Sequence, residues 1–225
     1  MTTDNPNRIA RLTLGADAAA LTAALLALDA DAEARVLVLS GDWSAIGASL
    51  RDGASDDPVA ALGALRIPVV AWVDGDCRDE ALELALAADI RIAGESAAFR
   101  MGHVREGRLP SHGGTQRLTR AVGRGQALRL LLTGETLDAD DALRVGLVHD
   151  VGDLEDAEAL AVSIADAGPI AAQYVKEAIT ASADLPLRDG MRLEADLSIL
   201  LHSTADRAEG LRSFAEKRKA RFEGR

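Results

Sequence analysis

Apolar and polar positions alternate in RIARLTL (8–14), which predicts a strand. DAAALTAALLALDADAEA then carries leucines at helical spacing and predicts a helix. ARVLVLSG (34–41) and IPVVAWVDG (67–75) are short unbroken apolar runs ending in turn residues, the pattern of strands buried on both faces. Between them SGDWSAIGASL reads as polar loop and DPVAALGAL as a helix. A helix over 79–88 and two extended segments, ADIRIAG and AAFRM, follow. Buried strands alternating with helices imply βαβ units and a largely parallel sheet.

From residue 114 the pattern turns helical. TQRLTRAVG, RGQALRLLLTG and DADDALRVG are punctuated by Gly123, Gly134 and Gly146, each placed to stop a helix, and Asp138 is a fitting N-cap. LVHDVG is a short strand or link, and 154–217 reads as helix broken near Gly168-Pro169 and Leu185-Pro186. This divides the chain into an α/β body, 1–152, and a helical region, 153–225. LEADLSILLHSTADRAEGLRSF is too apolar for an exposed helix and is expected to pack on the body or on another subunit. No period of 20–50 residues recurs.

Composition narrows the class. With 48% apolar but only 3% aromatic residues, the core must be built from Ala, Leu, Val and Ile. No apolar run is long enough for a membrane span, and MTTDNPNRIARLTL lacks the features of a signal peptide. The single cysteine, Cys77, excludes an internal disulfide and fits a reducing cytoplasm. A net charge of −11 argues against nucleic-acid binding. The exception is LRSFAEKRKARFEGR (211–225), where six basic residues face two acidic ones. Such a tail could attract a phosphorylated small molecule, or simply be a solvated helix end.

DGDCRDEALELALAADI (74–90) raises the chemical question, because it sets Glu80 and Glu83 on a helix that otherwise looks buried. A buried glutamate must be paired, solvated or used. The long segment GGTQRLTRAVGRGQALRLLLTGETLDADDALRVGLVHDV resembles the crotonase (enoyl-CoA hydratase/isomerase) superfamily. So do the order VLVLSG, IPVVAWVDG, ELALAADIRIAGESAAF, LPSHGGTQRL and the ending HSTADRAEGLRSFAEKRKARFEGR, so that the resemblance covers roughly 33–225.

The resemblance implies a spiral ββα core with a helical trimerisation region, a trimer or hexamer, and acyl-CoA thioesters as ligands. It implies no cofactor beyond the coenzyme A of the substrate. Family members stabilise a thioester enolate with two backbone N–H groups, and matching places these at Ala48 and Glu80. The family's glycine at the second place is replaced by Glu80, within Arg78-Asp79-Glu80-Ala81, and the first loop is two residues short. The Asn-Arg-Pro-type segment of the coenzyme A groove is also missing after the first strand. Glu83 matches one of two water-activating glutamates, and His103 occupies the position of the other. His112 stands beside the place where some family isomerases carry their acid. Lys217, Lys219 and Phe222 match the C-terminal helix that approaches the coenzyme, often from a neighbouring subunit.

Plainer readings stand beside these. Glu83 could pair with an arginine and support the turn, while His103 and His112 could be ordinary interior and loop histidines. His149 and His202 have no constellation around them, and Cys77 has no activating partner. His103 and Glu106, three apart, lack the third ligand of a metal site. Two functions follow: an enzyme of hydratase or isomerase type, or an impaired auxiliary subunit serving a partner enzyme.

Overall fold

A computed structural model describes residues 8–52 and 57–225; the reading of residues 1–7 lies outside the described part. Five strands form a parallel sheet in the order β1 (Ile9–Leu14), β2 (Val36–Gly41), β3 (Val69–Val73), β5 (Ile90–Ala93), β8 (Asp150–Val151). A smaller sheet of β4 (Asp76–Arg78), β6 (Ala98–Arg100) and β7 (Thr136–Leu137) stands beside it. There β4 and β6 run parallel, and β7 pairs antiparallel with β6.

Helices cover both faces of the main sheet. On one side α1 (Ala18–Asp29), α2 (Trp43–Arg51), α3 (Pro58–Ala64), α4 (Glu80–Ala85), α5 (Gly114–Thr133) and α6 (Ala139–Arg144) build the larger core, packing Leu25, Ile46, Leu62 and Leu84 with Leu37, Leu39 and Phe99. On the other, α7 (Leu154–Ala165) lays Ala157, Ala161 and Ala165 over Ile9, Val36, Val38 and Val70. Alanines at this spacing let the helix lie close to the sheet, as expected of a core with few aromatics. The helices α8 (Pro169–Ala181), α9 (Leu187–His202) and α10 (Ala205–Glu216) follow. Val175, Ile179, Leu187, Met191, Ile199 and Leu200 are exposed on α8 and α9, and Phe214 of α10 is 86% exposed.

Most punctuation falls where the sequence placed it. Asp138 caps α6 by accepting the Asp141 N–H at 2.8 Å. The chain breaks within α5 at Gly123, where φ is +75° and ψ 162°, a conformation open to glycine. The difference lies at 43–51, which is helix α2 and not loop. Asp42 caps it through the Ala45 N–H at 2.9 Å, and Trp43, Ile46 and Leu50 turn inward at helical spacing. The buried Trp43 ring donates its N–H to Trp72 O at 3.0 Å, pinning α2 to β3. Gly47 lets α2 rest directly on α4: an added Cβ there would lie 2.9 Å from the Ala81 Cβ.

Candidate active site

The turn after β3 delivers β4 and then α4 at the carboxyl end of the parallel sheet, where open α/β folds build their sites. Asp79, the residue before α4, has φ +51° and ψ −114°, a region unfavourable to any residue with a Cβ. Its side chain holds the turn in place. One oxygen accepts the Gly102 N–H at 2.6 Å and the other pairs with Arg51 at 3.0 Å.

His103 sits opposite, at the start of a 3₁₀ turn (His103–Glu106), with its side chain 0% exposed. Its Nδ1 lies 3.5 Å from Asp79 Oδ1, and its Nε2 lies 3.6 Å from Glu80 Oε1 and 3.5 Å from Glu83 Oε2. These are ion-pair separations; neither buried ring nitrogen makes a hydrogen bond. Burial alone would lower the imidazole pKa, but the carboxylates outweigh it and raise the value to about 9. His103 is therefore an imidazolium at neutral pH.

The two glutamates are held differently. Burial pushes the Glu83 pKa up, yet His103 and three backbone donors bring it below the ordinary value. Those donors are the N–H groups of Gly114 and His112, both 2.7 Å from Oε1, and of Ser111, 3.3 Å from Oε2. Gly114 opens α5, so Glu83 also serves as the anion at that helix's N-terminus. A Cβ at Gly114 would meet Glu83 Oε1 at 2.9 Å, so the carboxylate reaches this place because residue 114 is glycine.

Glu80 is 1% exposed and bridges two arginines, Arg108 at 2.8 Å and Arg51 at 3.2 Å. Burial opposes its ionisation, but His103 and Arg108 hold it strongly ionised. As the first residue of α4, its backbone N–H has no acceptor within the helix.

The structure thus brings the side chains of Glu80, Glu83 and His103 together, sets Ala48 and the His112 backbone beside them, and places Lys217, Lys219 and Phe222 elsewhere. His112 gives its backbone N–H to Glu83, but its ring turns to Asp57, 3.3 Å away. Ala48 occupies the sixth position of α2, where a helix commits each N–H to the carbonyl four residues back. Lys219 binds Asp166 at 2.7 Å, and Lys217 ends α10 exposed in a left-handed conformation. Phe222 rests on Gly168 and Gly210, and its carbonyl accepts from Arg35 at 2.5 Å, just before β2 begins. Within one chain the basic tail therefore lies at the amino-terminal edge of the sheet, away from the cluster. Sequence reasoning missed Arg51, Asp79 and Arg108 as parts of the site. Asp79 was visible in the acidic turn, whereas the arginines lie 28 or 29 residues from their partners and leave no local signal. Among the described residues, no group of three or more His, Cys, Asp or Glu side chains is placed to hold a metal ion.

A mostly parallel sheet with a smaller second sheet beside it and a run of C-terminal helices is the crotonase type of α/β architecture. The chain belongs to the enoyl-CoA hydratase/isomerase family, whose sequence profile matches residues 49–225. It is 37% identical to the 2,3-dehydroadipyl-CoA hydratase of Escherichia coli (strain K12), over 97% of this chain and 96% of that protein. It is 39% identical to a probable enoyl-CoA hydratase of Rhizobium meliloti, over 91% of this chain and 86% of that one. The crystal structure of enoyl-CoA hydratase EchA1 from Mycobacterium marinum superposes with a TM-score of 0.90 at 29% identity, covering 100% of this chain and 99% of that one.

Proposed function

We propose that the chain is a hydratase- or isomerase-type acyl-CoA enzyme acting on enoyl thioesters, with the His103 imidazolium as acid and the Glu83 carboxylate as base. The observation that carries this reading is the buried His103 ring, 3.5 Å from Glu83 and without a hydrogen bond at either nitrogen. Buried polar groups left unpaired are rare and cluster where chemistry needs them. In hydration, a water held by Glu83 gives up a proton to that carboxylate and adds its oxygen to Cβ. The electron pair passes to the thioester as an enolate, and Cα then takes a proton from His103 Nε2. Glu83-H returns its proton to the neutral imidazole, and the cycle consumes one water. The enolate oxygen needs fixed N–H donors. The Glu80 amide, free of its helix, can serve as one; Ala48 can serve only if α2 unwinds before it.

Coenzyme A enters as part of the substrate and no other cofactor is required. The exposed apolar faces of α8–α10 support assembly as a trimer or hexamer. In such an assembly Lys217, Lys219 and Phe222 would serve the coenzyme of a neighbouring subunit. The one cysteine, buried and unpaired, suits a reducing cytoplasm.

Glu80 favours a second reading. Its side chain fills the space beside His103 and is tied there by Arg51 and Arg108, as expected of a subunit that keeps the fold and assists a partner enzyme. Titrating the protein with crotonyl-CoA by calorimetry, then assaying hydration for wild type and Glu80→Gly, separates the two. Turnover that Glu83→Gln removes supports the enzyme. Binding without turnover in either form makes the auxiliary subunit the better account.

A further inference from the structure

Beside the cluster, between α2 and the small sheet, opens a cleft of about 360 Å³. Arg51 and Asp79 line it and also form the wall shared with Glu80 and His103. Two more arginines enter from the strands. Arg78 and Arg100 are direct neighbours in the β4–β6 register, an arrangement of like charges that is unfavourable unless an anion offsets it.

The acidic groups in the cleft do not supply that anion to Arg100. Asp76 pairs with Arg78, Asp79 with Arg51, and Glu106 with Arg108. Asp52, at the end of α2, forms no ion pair among the described residues. Arg100 likewise has no carboxylate within ion-pair distance among the described residues, and its buried Nε has no hydrogen-bond partner. A guanidinium presents two parallel N–H groups that match a planar carboxylate.

We infer that this cleft is a carboxylate-binding site and that the acyl chain taken by the enzyme carries a carboxylate at its far end. The inference rests on the acyl-CoA reading, and it names the substrate class that the reading leaves open. Arg51 and Asp79 stand between the cleft and the Glu80–Glu83–His103 cluster, so an acyl group whose thioester lies at Glu80 would carry its distal end past this wall into the cleft. Arg100 then meets the terminal carboxylate alone, Arg51 and Arg78 being already paired with Asp79, Glu80 and Asp76.

The test compares glutaryl-CoA with valeryl-CoA, equal in carbon number and different in the terminal group, together with free glutarate and inorganic phosphate. Calorimetry is expected to show glutaryl-CoA binding tenfold or more tightly than valeryl-CoA at low salt. Arg100→Gln should remove that preference by weakening glutaryl-CoA binding tenfold or more. Ser44→Glu, which adds a negative charge from α2 at the cleft surface, should do the same without touching the sheet. Equal affinities in the wild type, or a preference that survives both variants, overturns the site. Competition by phosphate but not glutarate overturns the carboxylate assignment. If neither thioester binds while glutarate binds in an Arg100-dependent way, the anion site stands and the acyl-CoA reading fails.

Discussion

At the scale of single residues, the proposed acid–base pair, His103 and Glu83, is held in place by its surroundings. Replacing Glu83 by Gln keeps the shape and lets the amide oxygen retain the His112 and Gly114 donors, but it removes the charge and turns the amide NH2 toward the Ser111 N–H and His103. Turnover of an enoyl-CoA is expected to fall by about 10²-fold or more, with a loss of roughly 1–3 kcal/mol of stability in urea unfolding. Asp79 touches only the far side of the imidazole, so it positions His103 and does not react. Asp79→Asn should lower the His103 pKa from about 9 toward its ordinary value, read by NMR titration of the ring, and shift the alkaline limb of the rate profile with it. An unchanged titration would mean that the glutamates alone hold the charge.

Secondary-structure elements show what the linear pattern could and could not reveal. The strands ARVLVLSG and IPVVAWVDG were legible because apolar runs bounded by turns have few other uses, and Asp138 because a cap acts within three residues. Helix α2 was hidden: its inward residues Trp43, Ile46 and Leu50 are diluted by Ser44, Gly47 and Ser49, and its packing depends on contact with Ala81 far along the chain. Glu83 and His103 could be named from their matched positions. Their surroundings could not, since Arg51 and Arg108 reach Glu80 only after folding. Gly47→Ala is expected to cost about 1–3 kcal/mol by overpacking the α2–α4 contact, measurable as a fall in the urea midpoint. For α9, Ile199→Asp should split an assembled species into monomers by light scattering, because Ile199 is 68% exposed in the single chain. A wild-type chain that is already monomeric would remove the assembly proposal.

For the molecule as a whole, the buried charges set how stability follows pH. His103 has a folded-state pKa raised from 6.5 to about 9, so its contribution is complete below pH 6.5 and fades as pH rises through 9. The shift corresponds to roughly 3 kcal/mol, shared with the carboxylates that face it. Glu80 and Glu83 have lowered values, so their contribution is present above the ordinary carboxylate range and is lost toward acid. Unfolding by urea should therefore show greatest stability between about pH 5 and 7, with a decline on the alkaline side that His103→Gln abolishes.

The contact of Gly47 with Ala81 also gears two helices together. Gly47 brings α2 into direct contact with α4 at Ala81, so any residue larger than glycine at 47 presses on the first turn of α4. Such pressure would disturb the seating of Glu83 on the Ser111, His112 and Gly114 amides and of Glu80 on Arg108. If Glu83 is the base as proposed, the smallness of residue 47 governs the alignment of the reacting carboxylate from a helix that need never touch the reacting carbons.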